Sequence, residues 1–382
     1  MSKHSLAADQ LHSGHSSERV AAAAPRRIEG LFGTNFLVEG AGGSILKMME
    51  FSTMYGTMRA SSLITSAVIG TALASKQRAR SQDDDNPLPL VIWHGLGDSA
   101  SGEGLAQVAQ LADAIAPGIF VHIVNPNPNS DGDDRAATFL GNVSEQVQAV
   151  CDQLASDPVL STAPAIDALG FSQGGQFLRG YVERCNRPPV RNLITFGSQH
   201  NGITRFRDCG PSDFVCRGAM ALLRFNVWSS FVQSRVVPAQ YYRSTEGREY
   251  ASYLDHSNYL ADINNERDLK NEAYRKNLAG LDNFVMYLFE NDTVSIPKES
   301  SWFGEVSGDG NVTPLKDREI YKEDWLGLKS LDEKGGLKFR SVEGEHMKIP
   351  VQVLNDTLTE FLGQFKSKTL SKGFEEFESE EL

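Results

Sequence analysis

The sequence predicts an α/β fold, a mostly parallel central sheet flanked by helices, with a helical cap inserted between two of its strands. Three observations carry that reading. Short apolar runs of strand length alternate with stretches of helical periodicity from Leu88 onward, and a continuous apolar run suits a parallel strand because both of its faces are covered. One such run leads through Gly170-Phe171-Ser172-Gln173-Gly174 directly into a helical pattern. Between residues 198 and 282 the alternation lapses for long enough to accommodate an insertion.

Residues 1–57 are rich in Ser, Ala and Gly without sustained periodicity. They are expected to be a disordered extension or a gene-model artefact. From Met58 to Ala74 a single Arg precedes an apolar run that is too short to span a bilayer and that ends in an Ala-x-Ala site, the pattern of a secretory signal peptide. The mature chain is then expected to begin near Ser75, with residues 75–86 as a linker containing Asp83-Asp84-Asp85. No transmembrane span is expected in it.

The globular domain is expected over residues 87–366. Strands are read at Leu88–Trp93, Ile119–Val124, Ala165–Phe171, Leu193–Phe196, Phe284–Phe289 and Leu337–Val342. Asn142–Leu154 carries Val143, Val147, Val150 and Leu154 on one stripe and reads as a helix, as do Gly174–Cys185 and residues 351–365. Helical patches at Val215–Phe231 and Asn271–Leu281 fall in the inserted cap. Residues 367–382 form an acidic tail, expected to be disordered.

With 40% hydrophobic and 23% charged residues the chain can bury a core, and its net charge of −12 argues against a nucleic-acid partner, which would need a basic face. Four cysteines, Cys151, Cys185, Cys209 and Cys216, suit either two disulfides or ordinary buried thiols. No CxxC pair and no Cys/His cluster has metal-ligand spacing, so no metal site is expected.

The chemistry is carried by Ser172. A serine at a sharp strand-to-helix turn has strained backbone angles, and glycines on either side let strand and helix approach each other. Serine at its free pKa is a poor nucleophile and requires a base. In chain order the acid and base follow: Asp292 lies just past the run Phe284–Phe289, and His346 just past Leu337–Val342. Both fall beyond strand carboxyl ends, on the edge where such sheets build their sites. His346 would take the serine proton while Asp292 fixes its tautomer. Glu290, two residues earlier at the strand end, is the alternative acid but lies deeper in the strand relative to His346; His200, His256 and His94 are weaker candidates, each more simply read as structural or surface side chains. An oxyanion hole needs two backbone N–H donors, expected from Gln173 and from Leu96 in His94-Gly95-Leu96-Gly97-Asp98.

These segments resemble the palmitoyl-protein thioesterase family, whose fold is the α/β-hydrolase fold. The resemblance runs from about Pro87 to about Phe365. It includes Trp93–Ser99, Gly170–Arg179, Gly197-Ser198-Gln199-His200-Asn201-Gly202, Tyr259–Asn264, Trp302-Phe303-Gly304 and Leu326-Gly327-Leu328-Lys329. It implies the same triad of Ser172, Asp292 and His346, the donors Leu96 and Gln173, and the pairings Cys151–Cys185 and Cys209–Cys216. The reaction it implies is cofactor-free hydrolysis of palmitoyl thioesters on S-palmitoylated proteins or peptides and on acyl-CoA. The location it implies is the secretory pathway, in the lysosome or vacuole or outside the cell. The family's vertebrate members carry a cysteine pair where this chain has Ala100 and Ser101, which puts the rigidity of that loop in question. Sequons at Asn142, Asn291, Asn311 and Asn355 are compatible with the secretory route, and Asn291 matches a family sequon. The apolar stripe Ala219, Leu222, Leu223, Phe225, Val227, Trp228 and Phe231 suits either an acyl groove or the cap's own core. A lipase or carboxylesterase of the same fold and a non-catalytic lipid carrier are the alternative readings.

Overall fold

The computed structural model describes residues 87–362 apart from 127–129, 207–216, 219, 220, 222, 224 and 225. The expected extension, signal peptide, linker and acidic tail, together with Cys209 and Cys216, lie outside the described residues. Eight strands are present among the described residues: β1 Leu90–Trp93, β2 Val121–Ile123, β3 Ile166–Phe171, β4 Val190–Phe196, β5 Asn283–Phe289, β6 Glu305–Val306, β7 Val312–Thr313 and β8 Leu337–Val342. Six of them form one sheet in the order β2-β1-β3-β4-β5-β8, parallel throughout, while β6 and β7 pair as a small antiparallel ribbon.

The principal helices are α1 Glu103–Ile115, α2 Asp131–Ala137, α3 Val143–Ser156, α4 Gln173–Arg184, α5 Gly247–His256, α6 Glu272–Ala279 and α7 Val351–Phe361. Because successive strand residues face opposite sides, β1 sends Leu90 and Ile92 to one face and Val91 and Trp93 to the other. The first face is covered by Leu105, Val108 and Ala112 of α1 with Leu354, Leu358 and Phe361 of α7. The second is covered by Val147, Val150 and Leu154 of α3, by Phe177, Leu178 and Tyr181 of α4, and by Tyr253 and Tyr259 from the stretch between β4 and β5. This is the parallel sheet covered on both faces that the alternating runs predict, in the α/β-hydrolase arrangement that the resemblance implies.

Several boundaries differ from the sequence reading. Strand β4 begins at Val190 rather than Leu193. Its polar start is tolerated because Asp167 of β3 accepts from Arg191 Nη2 at 2.5 Å and from Asn192 Nδ2 at 2.9 Å. The same two side chains also donate to the Phe361 carbonyl at the end of α7. Burial nonetheless pushes the Asp167 carboxyl up to about 6, against the opposing pull of Arg191. Helices α1, α2 and α5 were not expected. For α1 the signal was available, since Leu105, Val108 and Ala112 stand at helical spacing. Of the helix expected over Val215–Phe231, Arg217, Gly218, Ala221, Leu223 and Asn226 are helical, while 215, 216, 219, 220, 222, 224 and 225 lie outside the described residues. Its far end is instead a turn followed by a separate short helix, Ser230–Gln233, capped by Ser229 Oγ. The expected patch Asn271–Leu281 is α6, with the Asn271 side chain capping it by accepting from Ala273 N–H.

Helix α4 is buried over Gln173–Glu183, between the sheet and the stretch that follows β4. Its Arg179 and Glu183 are fully enclosed and paired at 2.9 Å. Arg179 also donates to Ile263 O, His200 O and Asn264 Oδ1 and lies over the Phe303 ring. Burial pushes the Glu183 carboxyl up to about 8; Arg179 pulls it down, Asp262 raises it and Arg184 lowers it. One disulfide, Cys151–Cys185, links α3 to the end of α4 across 34 residues, with Cα atoms 6.1 Å apart.

Two outcomes follow. Folded protein keeps the Glu183 proton up to about pH 8, whereas the unfolded chain releases it above about 4.5. The stability this group contributes is therefore complete below the lower value and is lost as pH rises through the window. Chemical denaturation at pH 5 and pH 8 should show Glu183→Gln losing less stability than wild type between the two, by on the order of 2 kcal/mol; equal losses would contradict the assignment. Replacing Cys151 and Cys185 by Ser should lower unfolding free energy by about 2–5 kcal/mol, measured under non-reducing conditions.

Candidate active site

Strand β3 passes into α4 through Ser172, which adopts φ 50° and ψ −121°. A non-glycine residue at positive φ is held there only when its surroundings over-determine it. The Ser172 N–H donates to Phe196 O of β4 at 2.8 Å, and the next turn closes with Gly175 N–H donating to Ser172 O at 3.2 Å. A Cβ at Gly174 would overlap the carbonyl oxygens of Trp93 and His94, and one at Gly170 would overlap the Gly175 backbone. The glycines are thus required by backbone-to-backbone approach, as the sequence argument holds.

The loops after β5 and β8 bring the other two side chains to this serine. His346 Nε2 stands 2.9 Å from Ser172 Oγ, and His346 Nδ1 stands 2.6 Å from Asp292 Oδ2. Asp292 is held in turn: its Oδ1 accepts from the N–H groups of Val294 and Ser295 at 2.8 and 2.9 Å. Both side chains are almost wholly enclosed, 6% exposed for His346 and 0% for Asp292, so solvent screens the pair weakly. The rejected carboxylate, Glu290, is exposed and accepts from Ser341 Oγ at 2.8 Å, on the neighbouring strand and away from the imidazole.

Of the other histidines, His200 is fully buried, stacked on Phe303 and within 3.0 Å of Thr195 Oγ1. Burial, with Arg179 beside it, holds its pKa well below the ordinary range. His256 is the last residue of α5 and is exposed. His94 is buried, its Nε2 facing Asp134 Oδ2 at 3.3 Å.

The loop after β1 lies against the serine: a Cβ on Gly95 would stand 3.2 Å from Ser172 Cβ. Asp98 N–H donates to Gly95 O at 3.3 Å, closing a turn around Leu96 and Gly97. Among the described residues, neither the Leu96 N–H nor the Gln173 N–H meets an acceptor. For Gln173 this is expected, since the first N–H groups of a helix have no partner within it. The Gln173 side chain is buried and fully occupied: Oε1 accepts from Tyr241 OH at 3.0 Å, and Nε2 donates to Thr138 O at 3.3 Å. Neither Tyr241 nor Thr138 stood out in the sequence, because a lone Tyr or Thr carries no spacing signal.

The sequons occupy different settings. Asn291 and Asn311 are exposed, Asn355 is half-buried on α7, and Asn142 caps α3 through its Oδ1. In the apolar stripe, Leu223 packs with Val232, Val236 and Ala239 in a small core of its own, Val227 and Trp228 are half-buried, and Phe231 is 52% exposed. Ala219, Leu222 and Phe225 lie outside the described residues.

The family model for palmitoyl protein thioesterase matches residues 89–346. Palmitoyl-protein thioesterase 1 of Caenorhabditis elegans is 37% identical over 283 residues, covering 72% of this chain and 91% of that protein. Palmitoyl-protein thioesterase 3 of Dictyostelium discoideum is 31% identical over 296 residues, 76% of this chain and 93% of that one. The lysosomal thioesterase PPT2 homolog of Drosophila melanogaster is 28% identical over 278 residues, 72% and 86% of the two chains. A match that spans both the turn at Ser172 and the loop at His346, at this identity and coverage, places the chain in the palmitoyl protein thioesterase family.

Proposed function

We propose that the protein hydrolyses long-chain fatty acyl thioesters on the cysteines of S-palmitoylated proteins and peptides, and on acyl-CoA, using Ser172, His346 and Asp292 as a catalytic triad. The observation that carries this reading is the unbroken hydrogen-bonded series from Ser172 Oγ through the imidazole to Asp292. Family membership supplies the substrate class.

Ser172 Oγ attacks the thioester carbonyl carbon while His346 Nε2 takes its proton, and Asp292 stabilises the imidazolium that forms. The carbonyl oxygen gains negative charge and is met by the N–H groups of Gln173 and Leu96, with the amino end of α4 behind them. Collapse breaks the carbon–sulfur bond. The thiolate leaves readily because thiols ionise near pH 8.5, and it recovers the proton from His346. Water then enters and gives a proton to the same nitrogen as its oxygen bonds the acyl carbon; the ester bond to Ser172 Oγ breaks, the imidazolium returns the proton to Oγ, and the fatty acid leaves. Each cycle consumes one water and regenerates all three side chains, with no cofactor entering the balance.

Phe231, exposed in the stretch after β4, is assigned to the apolar surface that an acyl chain would meet, whereas Val227 and Trp228 pack against buried clusters. The protein is assigned to the secretory pathway and the lysosome or vacuole. The Cys151–Cys185 bridge suits an oxidising compartment, and among the described residues no helix is long and apolar enough to cross a membrane.

Steady-state hydrolysis of palmitoyl-CoA tests the triad. Ser172→Ala and His346→Ala should each abolish acyl transfer above a residual about 10³–10⁴-fold over water, and Asp292→Asn should leave a folded protein with kcat lowered about 10⁴-fold. Glu290→Gln should behave as wild type; loss of turnover there with Asp292→Asn intact would assign the acid to the wrong residue. Protein isolated from vacuoles or medium should begin near Ser75 and lose one glycosidase-sensitive mobility step in Asn291→Gln. An intact segment 1–57 in that material would overturn the assigned route.

A further inference from the structure

The two N–H groups assigned to the oxyanion belong to separate parts of the chain, Leu96 after β1 and Gln173 at the start of α4. Such donors act only if both are held within a few tenths of an ångström of where the charge develops. The first of these loops continues through Ala100 and Ser101. What holds it is the short helix α2 and the residue that ends it.

Thr138 is 5% exposed and directly follows α2. Its hydroxyl donates to Arg135 O at 2.7 Å, the local bond that many helix-terminal threonines make. That bond uses the hydroxyl proton and leaves its lone pairs free. One of them accepts the buried N–H of Gly97, 41 residues earlier in the chain, at 2.9 Å. Gly97 is the residue after Leu96 and has φ +82°, so its N–H shares a peptide plane with the Leu96 carbonyl. The backbone carbonyl of Thr138 accepts from Gln173 Nε2 at 3.3 Å. One residue thus bonds to both halves of the hole. Four residues earlier, Asp134 holds the far end of the same loop: it accepts from Ala100 N–H at 2.8 Å and faces His94 Nε2 at 3.3 Å, entirely enclosed. On the other side, the segment after Thr138 is bonded to the stretch following β4 through Val237 N–H to Phe139 O and Gly141 N–H to Arg235 O. That stretch also supplies Tyr241, whose hydroxyl donates to Gln173 Oε1.

We propose that Thr138 is the positioning residue of the oxyanion hole, its hydroxyl fixing the Leu96 loop and its carbonyl fixing Gln173, so that the two donors are held in register by one peptide unit. The proposal rests on the triad reading above. Thr138 touches neither substrate nor the reacting atoms and acts through the two donors. Thr138→Val keeps the shape and removes the acceptor for Gly97, leaving a buried N–H unsatisfied and the loop free to shift. Thr138→Ser restores that acceptor.

The test counts functional serines by end-point fluorophosphonate labelling and measures kcat per labelled site and KM on palmitoyl-CoA. Thr138→Val should lower kcat roughly 10- to 100-fold with KM within about twofold of wild type, because a donor interaction made only in the transition state is weakened. Thr138→Ser should recover most of the loss. Binding of a long-chain trifluoromethyl ketone, whose adduct with Ser172 carries an oxyanion, should weaken in parallel with kcat/KM, while binding of a non-hydrolysable thioether analogue should not change. Wild-type kcat per labelled site in Thr138→Val would overturn the proposal, as would a Ser variant no better than the Val variant. If Thr138→Val does not fold, Gln173→Met removes the other half of the bracket while keeping the peptide donor; unchanged kcat there overturns the proposal equally. Failure of the triad reading appears elsewhere, as wild-type turnover that survives Ser172→Ala.

Discussion

The backbone of Ser172 is the constraint on which the rest of the site depends. A serine at φ 50° is costly to hold, on the order of 1–3 kcal/mol, and the surrounding structure holds it by close approach. The helix start comes so near the ends of β1 and β3 that Gly174 and Gly170 admit no side chain. The serine N–H is fixed on Phe196 O of the adjacent strand. Once the turn is fixed, the α4 amino end, the Gln173 N–H and the serine oxygen have determined places, and the loops beyond β5 and β8 need only bring Asp292 and His346 within hydrogen-bonding distance.

Fixing that turn requires α4 to be covered, and this explains an interior that is unusually polar for its depth. The helix faces the sheet on one side and the stretch between β4 and β5 on the other, so Gln176, Arg179 and Glu183 have no route to solvent. The two terminal nitrogens of Arg179 donate to Glu183 and to backbone and side-chain oxygens of His200, Ile263 and Asn264, while its buried Nε has no partner among the described residues. The stretch after β4 also bears directly on α4: its Tyr259 stands where any side chain at Gly180 would have to go, and its Tyr241 anchors Gln173.

Much of this was legible in the sequence. Five of the six sheet strands were found within about two residues, because parallel strands buried on both faces are written as apolar runs; the start of β4 was missed by three because Arg191 and Asn192 look like a turn until Asp167 is opposite them. Ser172, Asp292 and His346 were assigned from chain order and from their places beyond strand ends, and the structure brings them within hydrogen-bonding distance. Thr138, Tyr241 and the Arg179–Glu183 pair were not legible. Thr138, Tyr241 and Arg179 are bonded to residues 35, 68 and 85 positions away, and a polar residue that will be bonded at such range is written in the same way as one that will face water.

The strand order has a consequence for how the molecule is made. From β3 outward the sheet grows by one edge in chain order, β3 to β4 to β5 to β8, so each strand leaving the ribosome finds its neighbour already synthesised. The turn at Ser172 can close as soon as Phe196 emerges, whereas the carboxylate and the imidazole come from the last third of the described chain. The hydrogen-bonded series from Ser172 through His346 to Asp292 therefore comes together only when synthesis of the described residues is nearly complete, well after the turn that holds the serine.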